Sequence, residues 1–282
     1  MLDVPFLLGA IGAHALTGPS LIALLNGLGR QEAAARNLLT RMRDQGALEA
    51  EQRGRINLYR LASSSHARYE EVEGVRPEPV WDGTFDAILY HVPESARTLR
   101  DRVVHRARSS GYGLLRPGVL IAADERWSRL RLDDDEFVQP SWLQHASITP
   151  DSIADAQLMA RRAWDLDDLA TAYVRGLRRC VDATRQIEPG WPALRLWREV
   201  YATCFEAQLA DPNLPAVLLP ERWPKAAFSQ AQEAMNREVF VVLQPFLREH
   251  ADRSDSTGLN EYYQPHWAKR PACDAGPDES SR

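Results

Sequence analysis

Gln31-Glu32-Ala33-Ala34-Ala35-Arg36-Asn37-Leu38-Leu39-Thr40-Arg41-Met42-Arg43-Asp44 is the stretch whose two faces decide how this chain is read. At about 100° per residue, Arg36, Asn37, Thr40, Arg41, Arg43 and Asp44 fall on one arc of about 160°. Ala34, Ala35, Leu38, Leu39 and Met42 fall on the other. The polar arc carries guanidinium forks, an amide and a hydroxyl, and Gln31 stands at the start of the stretch with a second amide; these are groups that bond phosphates and base edges in a major groove. A helix with arginines outside is by itself an ordinary solvated helix, so its neighbours carry the argument. Before it, across a short turn at 27–29, Leu21, Leu24, Leu25 and Leu28 repeat at the spacing of one helix face. After it, residues 48–61 read as a hairpin with Arg53-Gly54-Arg55 at its tip, where the glycine allows a tight reversal and the arginines reach phosphates or a minor groove. Helix, turn, helix and basic-tipped hairpin is the order of a winged helix-turn-helix. It predicts binding of double-stranded DNA through Gln31, Arg36, Asn37, Thr40, Arg41, Arg43, Arg53 and Arg55.

The formal net charge of -5 opposes that reading only until it is resolved along the chain. Residues 1–70 hold eight arginines against six carboxylates, a net +2, and the remainder carries -7. A mildly basic head on an acidic body directs a polyanion to the head. A length of 282 residues, 44% of them hydrophobic, suits two or three globular domains. The apolar runs fall short of the roughly 20 residues of a membrane span, and no Lys or Arg precedes the first one as in a secretory leader. The expectation is a cytoplasmic protein with no membrane partner. Cys180, Cys204 and Cys273 are odd in number and far apart, which argues against a disulfide framework or a zinc knuckle and for reduced thiols.

The chain divides by pattern into a head at 1–70, an acidic, proline-containing connector at 70–79, a middle domain at 80–148, a helical domain at 149–250 and a polar tail at 251–282. In the middle domain a strand at 85–92, an arginine-rich helix at 95–109 and a strand at 119–123 predict a small α+β unit. Residues 126–144 show no usable pattern. Thr149-Pro150 signals a helix start; Leu166, Leu169, Tyr173, Leu177 and Cys180 share one helix face, and Leu194, Trp197, Tyr201, Cys204 and Phe205 another. Pro212, Pro215, Pro220 and Pro224 hold the next stretch extended. A last helix begins near Lys225, and Pro245 is expected to kink or end it. The tail beyond His250 reads as an ordered extension or a disordered end.

No HExxH and no G-x-S-x-G occurs, Gly111-Tyr112-Gly113 is only a fragment of a dinucleotide fingerprint, and Asp133-Asp134-Asp135-Glu136 lacks the spaced acceptors of a calcium loop. His250, His266 and Cys273 are too irregular for a metal site. The reading is therefore no metal, no cofactor and no enzyme. The aromatic set Trp164, Tyr173, Trp191, Trp197 and Tyr201 reads first as core, and second as an effector pocket with Arg178 or Arg179 at its mouth. The helix bearing Arg97, Arg100, Arg102 and Arg106 is a second candidate for an anionic carrier's phosphates, and the sequence leaves the two open.

The segments Ser20-Leu21-Ile22, Arg36-Asn37-Leu38-Leu39-Thr40-Arg41-Met42, Gly46-Ala47-Leu48, Gly54-Arg55 and Tyr59-Arg60-Leu61 resemble the winged helix of the phenylacetate-catabolism repressor (PaaX) family. Trp81-Asp82-Gly83, Pro93-Glu94, Arg100-Asp101-Arg102, Gly111-Tyr112-Gly113 and Arg116-Pro117-Gly118-Val119 resemble its middle domain. Asp211-Pro212-Asn213-Leu214-Pro215, Leu218-Leu219-Pro220 and Trp223-Pro224 resemble its C-terminal domain. The resemblance implies an α+β multidomain homodimeric repressor with a winged helix, a ferredoxin-like middle domain and a helical C-terminal domain. It also implies release from DNA by an aryl- or acyl-CoA thioester. The head has few aromatic residues and the body holds all eight tryptophans, so the effector is expected in the body, with its coupling to the head crossing the connector. Ile56-Asn57 in the hairpin and Gly9 and Gly12 in the first helix depart from the family pattern. The competing reading is an enzyme or nuclease-like protein built on the ferredoxin-like middle domain, for which Asp82 and Asp86 stand at the first strand without an evident catalytic partner. A DNA-binding scaffold without a ligand is the third.

Overall fold

The computed structural model describes residues 2–65, 79–130, 140–185 and 187–263. It is a mixed α+β structure with two four-stranded antiparallel sheets. Its contacts gather the chain into two compact units, Met1–Gly74 with Arg175–Glu206 and Ala227–Arg282, and Val75–Val174 with Ala207–Ala226. The helices of the 149–250 segment thus contribute residues to both units.

In the first unit the order is α1 (Asp3–Ile11), β1 (Ala13–Thr17), α2 (Gly18–Gly27), α3 (Glu32–Asp44), β2 (Leu48–Arg53) and β3 (Ile56–Leu61). The Thr17 hydroxyl caps α2 by accepting from the Ser20 amide, and a proline sits in the first turn. Leu21, Leu24 and Leu25 bury inward, as do Ala35, Leu38, Leu39 and Met42 of α3. Ala34, placed by the helical projection on the apolar arc, is exposed. The sheet order is β2-β3-β1-β8, with β8 (Glu261–Tyr262) supplied from the far end of the chain.

Neither β1 nor β8 follows from the sequence pattern. The stretch expected as a polar tail begins as structure: the last helix runs to Ser254, β8 pairs with β1, and the Tyr263 amide donates to the Gly12 carbonyl at 2.7 Å. Arg248 holds that end, donating to the carbonyls of Ile11 at 3.2 Å and Tyr263 at 3.0 Å while its guanidinium lies 4.5 Å from the Tyr262 ring centre.

The second unit contains β4 (Phe85–His91), α4 (Arg97–Ser109), β5 (Gly113–Arg116), β6 (Val119–Ala122), β7 (Trp142–Ile148) and α5 (Ile153–Trp164), with strand order β5-β6-β4-β7. Alternate residues of β4 and β6 serve opposite faces. Ile88, Tyr90, Leu120 and Ala122 pack with Val104 and Ala107 of α4, whereas Phe85, Ala87, Val119 and Ile121 pack with Ala156, Ala160 and Ala163 of α5. The strand, helix and strand expected at 85–123 are present. β5 and β7 add the edges, and α5 starts later than Thr149-Pro150 suggested because β7 runs to Ile148 and Ser152 supplies the cap.

Three longer helices follow, α6 (Leu166–Thr184), α7 (Trp191–Ala210) and α8 (Lys225–Ser254). Pro245 does not end α8. Pro245 and Val241, whose carbonyl loses its N–H partner, both lie on the exposed face where water can serve it. Cys180 and Cys204 are both buried, with their sulfurs 3.6 Å apart. No helix among the described residues is long and apolar enough to cross a membrane.

Within the first unit Asp3 accepts from Arg30 Nε at 2.6 Å and Arg198 Nε at 2.7 Å, its side chain only 7% exposed. Burial pushes its carboxyl up, but the two guanidinium hydrogen bonds and their charges bring it below the usual carboxylate range. A depressed native pKa contributes stability that is complete above the unfolded value of about 4 and is lost as pH falls through the native value. Asp3→Asn should therefore lower stability by about 2 kcal/mol at pH 7. In thermal unfolding followed by circular dichroism the gap from wild type should close below about pH 4. A gap that stays constant with pH would refute the ionic account.

Candidate nucleic-acid interface

α3 begins at the Gln31 N-cap, whose side chain makes no capping bond, and exposes Gln31, Arg36, Asn37, Thr40, Arg41 and Arg43. The helix arranges them outward because its four buried residues fix which side faces the core. Arg36 pairs with Glu32 one turn back, and Arg43 donates to the adjacent Asp44 at 2.9 Å. Among the described residues Arg41 has no ion-pair partner. Exposed pairs of this kind are worth about 0–1 kcal/mol, so a phosphate can replace the carboxylate at little cost.

The hairpin turns through two residues, since Arg53 stands opposite Ile56 and leaves only Gly54 and Arg55 between. Gly54 has φ of 61°, the positive value such a turn needs at its first position. Arg53 pairs with Glu51 at 2.6 Å, while Arg55 is exposed and makes no ion pair among the described residues. The eight candidate residues thus lie on two consecutive elements of one unit, with Arg41 and Arg55 the uncommitted cations.

The candidate effector residues are not brought together in one unit. Trp197 and Tyr201 are buried in the first, where Phe6 packs on both rings at centroid distances of 5.3 and 5.2 Å. Trp197 Nε1 donates to Asn236 Oδ1 at 3.0 Å. Trp164 and Tyr173 belong to the second unit. Trp164 Nε1 donates to the Gly111 carbonyl at 3.3 Å, and the fully buried Tyr173 donates its hydroxyl to Asp211 at 2.6 Å. Each ring is satisfied by packing and a hydrogen bond or ring contact. Arg178 and Arg179 are exposed on α6, and Arg97 and Arg100 on α4 pair with Asp101 at 3.6 Å and Glu94 at 2.7 Å. A shallow groove of about 600 Å³ in the second unit is lined by Trp81, Ile153, Val217 and neighbours, none of them from this set.

The carboxylates of the competing enzymatic reading have structural duties. Asp82 accepts from the amide and hydroxyl of Thr84, both at 2.8 Å, within its own turn. Asp86, 7% exposed, accepts at Oδ2 from the Tyr112 hydroxyl and from the amides of Arg126 at 2.9 Å and Trp127 at 3.2 Å. His145 Nε2 stands 2.5 Å from Oδ1, and the Trp127 ring stacks on the imidazole at 4.7 Å. Burial and the bond to Asp86 push the Tyr112 phenol pKa far up, so it remains a donor. Tyr112 is thus a core anchor, not part of a phosphate loop. Among the described residues no group of three or more His, Cys, Asp or Glu is placed to hold a metal ion. Asp133 to Glu136, His266 and Cys273 lie outside the described residues.

Residues 7–65 match the family described as PaaX-like protein, and residues 78–133 match the PaaX protein central Cas2-like domain. The Transcriptional repressor PaaX of Escherichia coli (strain K12) is 27% identical over 217 residues, covering 72% of this chain and 68% of that protein. Among solved structures, the uncharacterized protein Rv0674 from Mycobacterium tuberculosis is similar with a TM-score of 0.57 and 27% identity, over 90% of this chain and 97% of that one.

The Asp86 cluster generates a stability prediction. Asp86→Ala strands two backbone amides and a phenol, and should cost about 3 kcal/mol, against about 1 kcal/mol for Tyr112→Phe. Chemical denaturation of the two variants measures both. Equal stability of Asp86→Ala and wild type would contradict the role assigned to the carboxylate.

Proposed function

A chain that carries the PaaX-like and PaaX central domains in this order is a PaaX-family protein, and on that premise we propose that it is a DNA-binding transcriptional repressor. The observation that carries the reading is the outward presentation of Asn37, Thr40 and Arg41 on α3 together with the exposed Arg55 at the turn of the following hairpin. In this reading α2, α3 and the β2–β3 hairpin are a winged helix-turn-helix, α3 reads the major groove, and the hairpin tip meets phosphates. The strand order β5-β6-β4-β7, with α4 on one face, supports a ferredoxin-like middle domain. The segments 1–70, 80–148, 149–250 and 251–282 are divisions of sequence pattern; contacts share 149–250 between the two units, and β8 of the last segment pairs with β1 of the head.

One winged helix makes few phosphate contacts, so tight binding at physiological salt calls for two heads on two half-sites, hence a homodimer. The effector in this proposal is an aryl- or acyl-CoA thioester. The basic α4, with Arg97 and Arg100, offers cations to the carrier's phosphates, and Arg178 and Arg179 are the other exposed choice. The packed state of Trp164, Tyr173, Trp197 and Tyr201 favours their reading as core in this conformation. The enzymatic reading has no observation in its favour, because both of its carboxylates are engaged by neighbouring donors.

Arg41→Ala and Asn37→Ala should each cost about 1–3 kcal/mol on a duplex selected by the wild-type chain, with the loss concentrated at particular base pairs. Arg55→Ala should weaken selected and unrelated duplexes alike and reduce the salt slope by about 1. Fluorescence anisotropy across a salt series measures these effects, and light scattering should report twice the chain mass. Wild-type affinity in all three variants would overturn the proposal.

A further inference from the structure

Three α7 side chains converge on the turn that leads into α3, all within the first unit. Trp191, Arg195 and Arg198 are spaced four and three apart, so they share one helix face. A Cβ at Gly27, the last residue of α2, would fall inside the Trp191 ring, so the close approach of ring and backbone requires glycine. Phe246 and His250 of α8 hold the same ring edge-on, each with its centroid 4.9 Å away. One turn along α7, Arg195 Nε donates to the Gly27 carbonyl at 2.9 Å. One further turn on, Arg198 Nε donates at 2.7 Å to Asp3, whose other oxygen accepts Arg30 Nε at 2.6 Å. Arg30 immediately precedes the Gln31 N-cap of α3, and its amide donates to the Leu25 carbonyl at 3.0 Å. The turn between α2 and α3 is therefore held by α7 directly at Gly27, and at Arg30 through Asp3 of α1, which Arg198 also engages.

We propose that Trp191, Arg195 and Arg198 are positioning residues for DNA recognition: they fix the angle at which α3 leaves its turn, and so which base edges Asn37 and Arg41 reach. The proposal rests on the reading of α3 as the recognition helix. A tilt of about 10° at the turn displaces a side chain about 10 Å along the helix by roughly 1.7 Å, more than the roughly 0.5 Å working range of a hydrogen bond. Base contacts fail under such a tilt. Phosphate contacts made by long arginines adapt to it, because they need charge near the backbone rather than a fixed register.

The test uses the full chain, a duplex recovered from a random-sequence pool by the wild-type protein, and a scrambled duplex of the same composition. Arg195→Gln and Arg198→Gln should each lower the selected-to-scrambled affinity ratio by about tenfold, the equivalent of one base contact, with the salt slope unchanged. Arg198→Lys should retain most of the ratio, since an ammonium still meets Asp3. Arg198→Gln and Arg30→Gln should be non-additive, because both act through that carboxylate. Circular dichroism at the binding temperature establishes that each variant is folded, and Arg195→Gln, which leaves the buried carboxylate paired, carries the test if Arg198→Gln unfolds. A wild-type ratio in Arg195→Gln and Arg198→Gln, with or without lower thermal stability, overturns the proposal while loss of the ratio in Arg41→Ala leaves the DNA reading standing. No recovered duplex, or a wild-type ratio in Arg41→Ala, overturns that reading and the proposal with it.

Discussion

The buried carboxylate of Asp3 constrains the first unit more tightly than any apolar contact does. Burying a carboxylate costs several kcal/mol unless opposite charge and hydrogen bonds offset it, and here each oxygen receives one guanidinium. The donors come from 27 and 195 positions along the chain, so the arrangement is complete only when α1, the α2–α3 turn and α7 have all met. Apolar neighbours such as Val4, Phe6, Leu7, Leu8 and Ile11 provide the attraction that brings α1 in. They would tolerate a slide by part of a turn; two directed ion pairs on one carboxylate do not. Charge here sets register, and apolar burial supplies the free energy.

The second unit places a buried carboxylate differently. Asp86 is met by two amides, a phenol and an imidazole, so its neighbours are polar donors rather than fixed cations. The cluster ties β4 to β7 and to the loop after β6, closing the end of a sheet whose two faces are already covered by α4 and α5. A metal-binding role would need those lone pairs directed at open space. The donors already occupy them, so the Asp86 cluster is a structural knot.

What the sequence made legible was local and periodic. Leu38, Leu39 and Met42 identify the buried side of α3, and the outward arc follows from helix geometry alone. The faces of α6 and α7, from Leu166 to Cys180 and from Leu194 to Cys204, were read in the same way. The failures have physical causes. β1 is buried at four of its five residues and shows no alternation, and β5 is four residues long. β8 is held by Arg248 and Asn260 rather than by any pattern of its own. At the candidate site the exposed arginines were legible, but their pairing with Glu32, Asp44 and Glu51 was not, because rotamers decide it. Trp191 was legible only as one of an aromatic set, and Arg195, Arg198 and Asp3 carried no signal: their significance lies in contacts across most of the chain, and sequence periodicity reports only neighbours.

The acidic connector reads as a boundary between head and body that any signal from the body would cross. The packing of the first unit argues otherwise. Phe6 meets Trp197 and Tyr201, β1 pairs with β8, and the Ser20 hydroxyl donates to the Ala251 carbonyl at 2.8 Å. Each large apolar side chain uncovered by removing α7 and α8 would forfeit about 1.5–3 kcal/mol, and several are involved, against a typical domain stability of about 5–15 kcal/mol. The N-terminal elements and the C-terminal helices therefore stand or fall as one cooperative body. A displacement of α7 reaches the turn before α3 through Trp191, Arg195 and the shared Asp3, and does not need the connector. For the proposed effector to act on such a head, it would have to prefer one position of α7, since only a difference in affinity for two positions can shift the equilibrium between them.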